Sequence, residues 1–195
     1  GISAHGGYHR AIGGTFEAYT AGFSFKYYGL SGSLKNPFTV GNASKIKARG
    51  VGIGVQNQTY FNVAKDSGPN VDLQMISLKI LYDLNRRFYL VAETSFAYEG
   101  KSGGYAHGIF GLGVRSNPFL KKKISTFIEL TGGIAGGAGV DTGEGILVRP
   151  TTGINYHLNE SSSFNIALGQ TWTPLGNVDS TNLNVGFLYN FSILN

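Results

Sequence analysis

Apolar residues recur at every second position through most of this chain, and a side-chain period of two admits only β-strands. From Phe88 to Tyr98 one face carries Phe88, Leu90, Ala92, Thr94, Phe96 and Tyr98, and the other carries Tyr89, Val91, Glu93, Ser95 and Ala97. From 164 to 172 the apolar positions are Phe164, Ile166, Leu168 and Trp172, set against Asn165, Ala167, Gly169 and Thr171. Leu183, Val185, Phe187, Tyr189, Phe191 and Ile193 alternate with Asn184, Gly186, Asn190 and Ser192. Tyr19, Ala21, Phe23, Phe25 and Tyr27 do the same further upstream, as do Val51, Ile53 and Val55 between glycines. Helical spacing fits none of these windows. The chain reads as all-β.

The strands run over 15–28, 46–63, 71–82, 88–98, 105–116, 123–136, 146–157, 163–174 and 181–193. Most exceed the five or six residues of soluble sheets and match the roughly 9 to 11 that a tilted strand needs to cross a bilayer. Asp72 and Gln74 fall out of phase with Ser77 and Lys79, which predicts a β-bulge at Met75-Ile76. Compact turns at 83–87, 117–122 and 158–162 alternate with Gly- and Ser-rich connections at 99–104, 136–145 and 174–180. Short turns at one end and looser loops at the other describe an antiparallel up-and-down transmembrane β-barrel. Barrels of this kind take an even number of strands. The eight from 46 to 193 are one even set, and the strand at 15–28 makes nine. The expectation is ten strands, the tenth from 1–12 or 29–36, with eight as the alternative. One domain is expected over 1–195, with 1–13 a candidate mobile N-terminal segment.

Composition decides which face is outside. The chain has 30 glycines among 195 residues but only 14% charged residues, and a soluble barrel needs a charged exterior. With the apolar face outward in lipid, the narrow lumen takes the small residues and the few ions. Tyr82, Phe88, Tyr98, Tyr105, Phe119, Tyr156, Phe164, Trp172 and Tyr189 sit near strand ends, where amphipathic rings collect at membrane interfaces. The absence of cysteine removes disulfide scaffolds, thiolate metal sites and cysteine nucleophiles. Net charge is +5, and Arg86-Arg87 with Lys121-Lys122-Lys123 supply much of the surplus at two turns. Such clusters can meet phosphates, although a solvated turn is the plainer reading.

The turns that run from Tyr82-Asp83-Leu84 to Phe88 and from Tyr156-His157-Leu158 to Phe164, together with the closing strand Asn184-Val185-Gly186-Phe187-Leu188-Tyr189-Asn190-Phe191, resemble the small outer-membrane β-barrels of Gram-negative bacteria, the OmpA/OmpX/OmpW-like superfamily. The resemblance covers about Gly14 to Asn195, and departs from the family where the chain ends Ser192-Ile193-Leu194-Asn195 rather than on an aromatic residue. It implies an outer-membrane location, short turns facing the periplasm, and a mature chain from which a signal peptide is removed. It also implies contact with outer-membrane lipids, including lipopolysaccharide, and with another outer-membrane or periplasmic protein as an optional partner. It does not imply one function.

Under this register the lumen ions are Lys26, Lys79, Glu93, Arg115, Glu129, Arg149 and His157. Lys79 and Glu93 come out as near-diagonal neighbours, with Arg115, Glu129 and Arg149 on successive strands. A buried charge without a partner is costly, so mixed signs predict an internal polar network: a plug, or the constriction of a narrow channel. Catalytic signals are weak. Asp141-Thr142-Gly143 matches a short aspartic-protease signature but lacks the second carboxylate that chemistry needs. The glycine runs precede no helix to present to a phosphate. His5 and His9 are the one candidate metal pair. His107 and His157 lack the His-x-Ser spacing of outer-membrane lipid deacylases. We expect no enzyme activity, no cofactor, no metal and no nucleic-acid partner. The alternatives are a barrel subunit of a larger membrane complex and a lipid-modifying enzyme.

Overall fold

The computed structural model describes residues 2–10, 17–25, 48–100, 104–137 and 139–194. The chain divides into two compact units, Gly1–Ser44 and Lys45–Asn195, rather than the one expected over 1–195. In the first, β1 (Ile2–Arg10) pairs antiparallel with β2 (Glu17–Phe25) in a two-stranded sheet. The second is a closed barrel of eight antiparallel strands. Its wall runs β3 (Ala48–Val63), β4 (Val71–Asp83), β5 (Phe88–Glu99), β6 (Ala106–Arg115), β7 (Ile124–Gly136), β8 (Ile146–His157), β9 (Ser162–Trp172) and β10 (Asp179–Leu194).

The ten-strand expectation is therefore corrected to eight. Closure is made by β10 on β3, from Asn182 opposite Tyr60 to Leu194 opposite Ala48. That ladder occupies the outer edge of both strands and leaves no gap for another pair. The strand at 17–25 alternates as the wall strands do, yet the described partners of 2–10 and 17–25 are each other.

Alternation builds the wall. Along β4 the residues Leu73, Met75, Ser77, Lys79 and Leu81 point inward, while Ile76, Leu78 and Ile80 are exposed outside. Phe110, Leu130, Ile134, Ile166 and Val185 extend this outer apolar surface around the barrel. No helix among the described residues is long and apolar enough to cross a membrane; crossing by strands is a separate matter. The predicted bulge at Met75-Ile76 is also corrected. Inward alternation in β4 is unbroken, and the register slips where Gln74 opposes Glu99 but Met75 opposes Ala97, so Tyr98 of β5 is the extra residue. The polarity change along β4 marks a real boundary inside the lumen, from an apolar layer to a polar one.

Glycine serves the close approaches. At Gly113 an added Cβ would sit 2.2 Å from the Tyr89 ring, so its absence gives that ring its place in the lumen.

Candidate functional site

Three layers fill the lumen. At the loop end lies an apolar cluster of Tyr60, Val63, Leu73, Met75, Tyr105, Val140 and Val178. Tyr105 is only 1% exposed, so its expected place among the interface aromatics is corrected. It lies just before β6, at the position whose parity points inward, and proximity to a strand end does not reveal parity. Phe88, Tyr98, Phe119, Tyr156, Phe164, Trp172 and Tyr189 are exposed, and Tyr82 is half-buried. Trp172 and Tyr98 lie toward the loop end, and the others toward the turn end.

Above the apolar layer the loops bond to one another through their backbones. Asp66 N–H donates to Gly139 O at 3.1 Å, Asp141 N–H to Ala64 O at 3.1 Å, and Asn177 N–H to Asp141 O at 3.1 Å. Asn177 Nδ2 also donates to Asp141 Oδ2 at 2.5 Å. Asp141, the acid of the protease-like triplet, therefore ties loops together. Gly143 lies beside it at φ +56°, where a Cβ would meet Leu175 O at 1.8 Å.

The middle layer is ionic. Lys79 Nζ donates to Glu129 Oε2 at 2.7 Å, and Tyr89 Oη donates to Glu129 Oε1 at 2.9 Å. Arg149 donates from Nη2 to Glu93 Oε1 at 2.7 Å and from Nη1 to Tyr60 Oη at 3.0 Å. Gln58 Nε2 reaches the same Glu93 oxygen at 2.7 Å. All four charged side chains are at most 4% exposed. Two acids and two bases balance in this buried layer, as buried charges require.

Lys79 and Glu93 are opposed in the ladder of β4 and β5, but each takes its partner across the lumen. His107 is buried with Nε2 3.6 Å from Glu93 Oε1. Gln58, Tyr60, Tyr89 and His107 join the network although the sequence reading does not select them. Inward parity was the signal available for each. Neutral side chains on a lumen face become site residues only when an ion is known to lie opposite.

At the turn end Arg115 is paired with Asp83 and lies over the Tyr89 ring, 4.4 Å from its centroid. Ser125 Oγ and His157 Nε2 are 2.9 Å apart. They border a cavity of about 30 Å³, room for roughly a water and no substrate. Lys26 falls outside the described residues, as do the side chains of His5 and His9. No group of three metal-ligating side chains occurs among the described residues.

The two ends differ in charge. The turns 84–87 and 116–123 contain Arg86, Arg87, Lys121, Lys122 and Lys123 and no acid, and Glu160 lies on the third turn. At the loop end Asp66, Asp72, Glu99, Asp141, Glu144 and Asp179 outnumber the described cation Lys65.

No protein-family model and no curated protein matches the chain. Solved structures do. A de novo designed transmembrane β-barrel aligns with a TM-score of 0.53 at 10% identity, over 73% of this chain and 95% of the design. Neisserial surface protein A aligns with a TM-score of 0.51 at 13% identity, over 74% of this chain and 99% of that one. This is the fold of the small transmembrane β-barrels. The N-terminal β-barrel domain of Pseudomonas aeruginosa OprF also aligns, with a TM-score of 0.48 at 12% identity over 73% and 97%. The design is a transmembrane β-barrel without any evolved task, so the fold by itself assigns no chemistry to the lumen.

Proposed function

We propose that the chain is a non-enzymatic barrel of the bacterial outer membrane that does not conduct, and that acts as a structural or interaction protein through its exposed ends. The observation that carries this reading is the layer of Tyr60, Val63, Leu73, Met75 and Tyr105, each at most 1% exposed, lying beneath loops bonded to one another. An ion entering from the turn end would have to break the Lys79–Glu129 and Arg149–Glu93 pairs and then cross a dry apolar layer. Desolvating it there costs far more than thermal energy supplies. The outer wall favours the membrane placement, because its exposed side chains are aliphatic and aromatic and barrels satisfy their backbone polar groups without an edge. Outer-membrane lipids, lipopolysaccharide among them, are its immediate surroundings on this reading.

Planar-bilayer recording of the full chain tests it. Insertion verified by gel mobility before and after boiling, with no discrete conductance steps, is the expected outcome. Steps whose size changes on Arg149→Ala would replace this reading with the narrow channel.

A further inference from the structure

We propose that the rim at the turn end is a docking surface for anionic phospholipid headgroups, built from Arg86, Arg87, Lys121, Lys122 and Lys123. The inference rests on the membrane placement above and goes beyond it by naming a lipid class and the residues that choose it.

These five cations are exposed, and no acid pairs with any of them among the described residues. The fold brings their two turns side by side, because Arg115 N–H donates to Arg87 O at 2.9 Å where β6 leaves β5. The lysines are held on a closed hairpin tip. Phe119 N–H donates to Ile124 O at 2.8 Å and Ile124 N–H to Phe119 O at 3.2 Å. Between them Leu120, Lys121 and Lys122 all take left-handed φ values of 46°, 59° and 64°, a conformation that L-residues rarely adopt. The triad is thus fixed to the rim by its own backbone.

Apolar surface continues into the charge. Phe119 is 45% and Leu120 66% exposed immediately before the lysines. A groove of about 380 Å³ beside Arg87 is lined by Val114 and Ile128 from the lipid-facing wall and by Ser116 and Thr126 nearer the rim. Aliphatic wall, then hydroxyls, then cations is the order of acyl chain, ester and phosphate in a phospholipid. The long stems of lysine and arginine lie along apolar surface while their heads stay at the headgroup level. The opposite end, with its surplus of acids, has no such order among the described residues. Charge complementarity therefore selects an anionic lipid in the leaflet at the turn end, drawn by a field that decays within a Debye length.

The test uses the full chain in mixed vesicles of phosphatidylcholine and phosphatidylglycerol. Lipid carried with the barrel after brief detergent extraction is counted by native mass spectrometry. Wild type should retain phosphatidylglycerol over phosphatidylcholine by about tenfold, and raising salt from about 50 to about 500 mM should remove most of that preference. Replacing all five cations by glutamine should abolish it while the barrel still inserts and resists unfolding on unboiled gels. Equal retention of the two lipids by wild type overturns the proposal, and so does a preference unchanged in the variant. Displacement by inorganic phosphate at a few times the lipid concentration would mean a site for the free ion and also overturns it. Should the variant fail to insert, the salt titration of wild type decides alone. Failure of wild type to insert at all would instead refute the membrane placement.

Discussion

Lys79 and Glu129 meet across the lumen at 2.7 Å, although the residue opposite Lys79 in the neighbouring strand is Glu93. Glu93 is taken by Arg149 instead, also at 2.7 Å. The ionic layer is therefore built of spokes, each joining strands that are not neighbours in the wall. Such spokes brace a closed barrel against collapse, and their pairing requires four ions at related depths.

Removing one end of a spoke should be severe. Glu129→Ala leaves Lys79 buried and unpaired, and should cost about 3–5 kcal/mol in denaturant unfolding of the barrel in lipid. Replacing both by similar-sized apolar residues, Lys79→Met with Glu129→Leu, should recover most of that loss. If the double variant is as unstable as the single, the pair is not the unit of stability.

Tyr105 and Tyr98 distinguish the two faces. Tyr105→Ala removes a ring from a packed layer and should cost about 3–5 kcal/mol. Tyr98 is 58% exposed on the outside, and Tyr98→Ala should cost about 1 kcal/mol, from its hydrogen bond with Asn57 at 2.6 Å. Equilibrium unfolding of both variants in the same bilayer checks the order.

Leu130 lies midway along β7, 60% exposed and back to back with Glu129. Leu130→Arg should destabilise the bilayer-embedded barrel by about 2–4 kcal/mol, the cost of an outward cation near the midplane. Refolding yield into vesicles and urea midpoints would show it. An indifferent substitution would count against lipid on that face.

Gly143→Ala should loosen the loops bonded to one another over the apolar layer without dissolving the barrel. The added methyl meets the carbonyl of Leu175, and positive φ adds a strain of about 1 kcal/mol. Limited proteolysis should cut the connection 137–145 sooner in the variant, while unboiled gel mobility stays that of the folded form.

The sequence by itself determined the wall. Period two is a local property: it sets Phe88 and Tyr89 on opposite faces whatever the rest of the chain does, and the composition, poor in charge, decides which face is outside. It also placed Lys79, Glu93, Glu129 and Arg149 on the inner face, since parity alone carries that. What crosses the lumen was decided only by tertiary structure. Which ion opposes which depends on barrel diameter and on the stagger accumulated over several ladders, and no local pattern encodes either. The same holds for the strand count. The segment 17–25 alternates like a wall strand, and only the pairing of β10 with β3, more than a hundred residues apart in sequence, closes the barrel without it. Tyr105 shows the limit in one residue: composition and position place it at an interface, and the register turns its ring into the core.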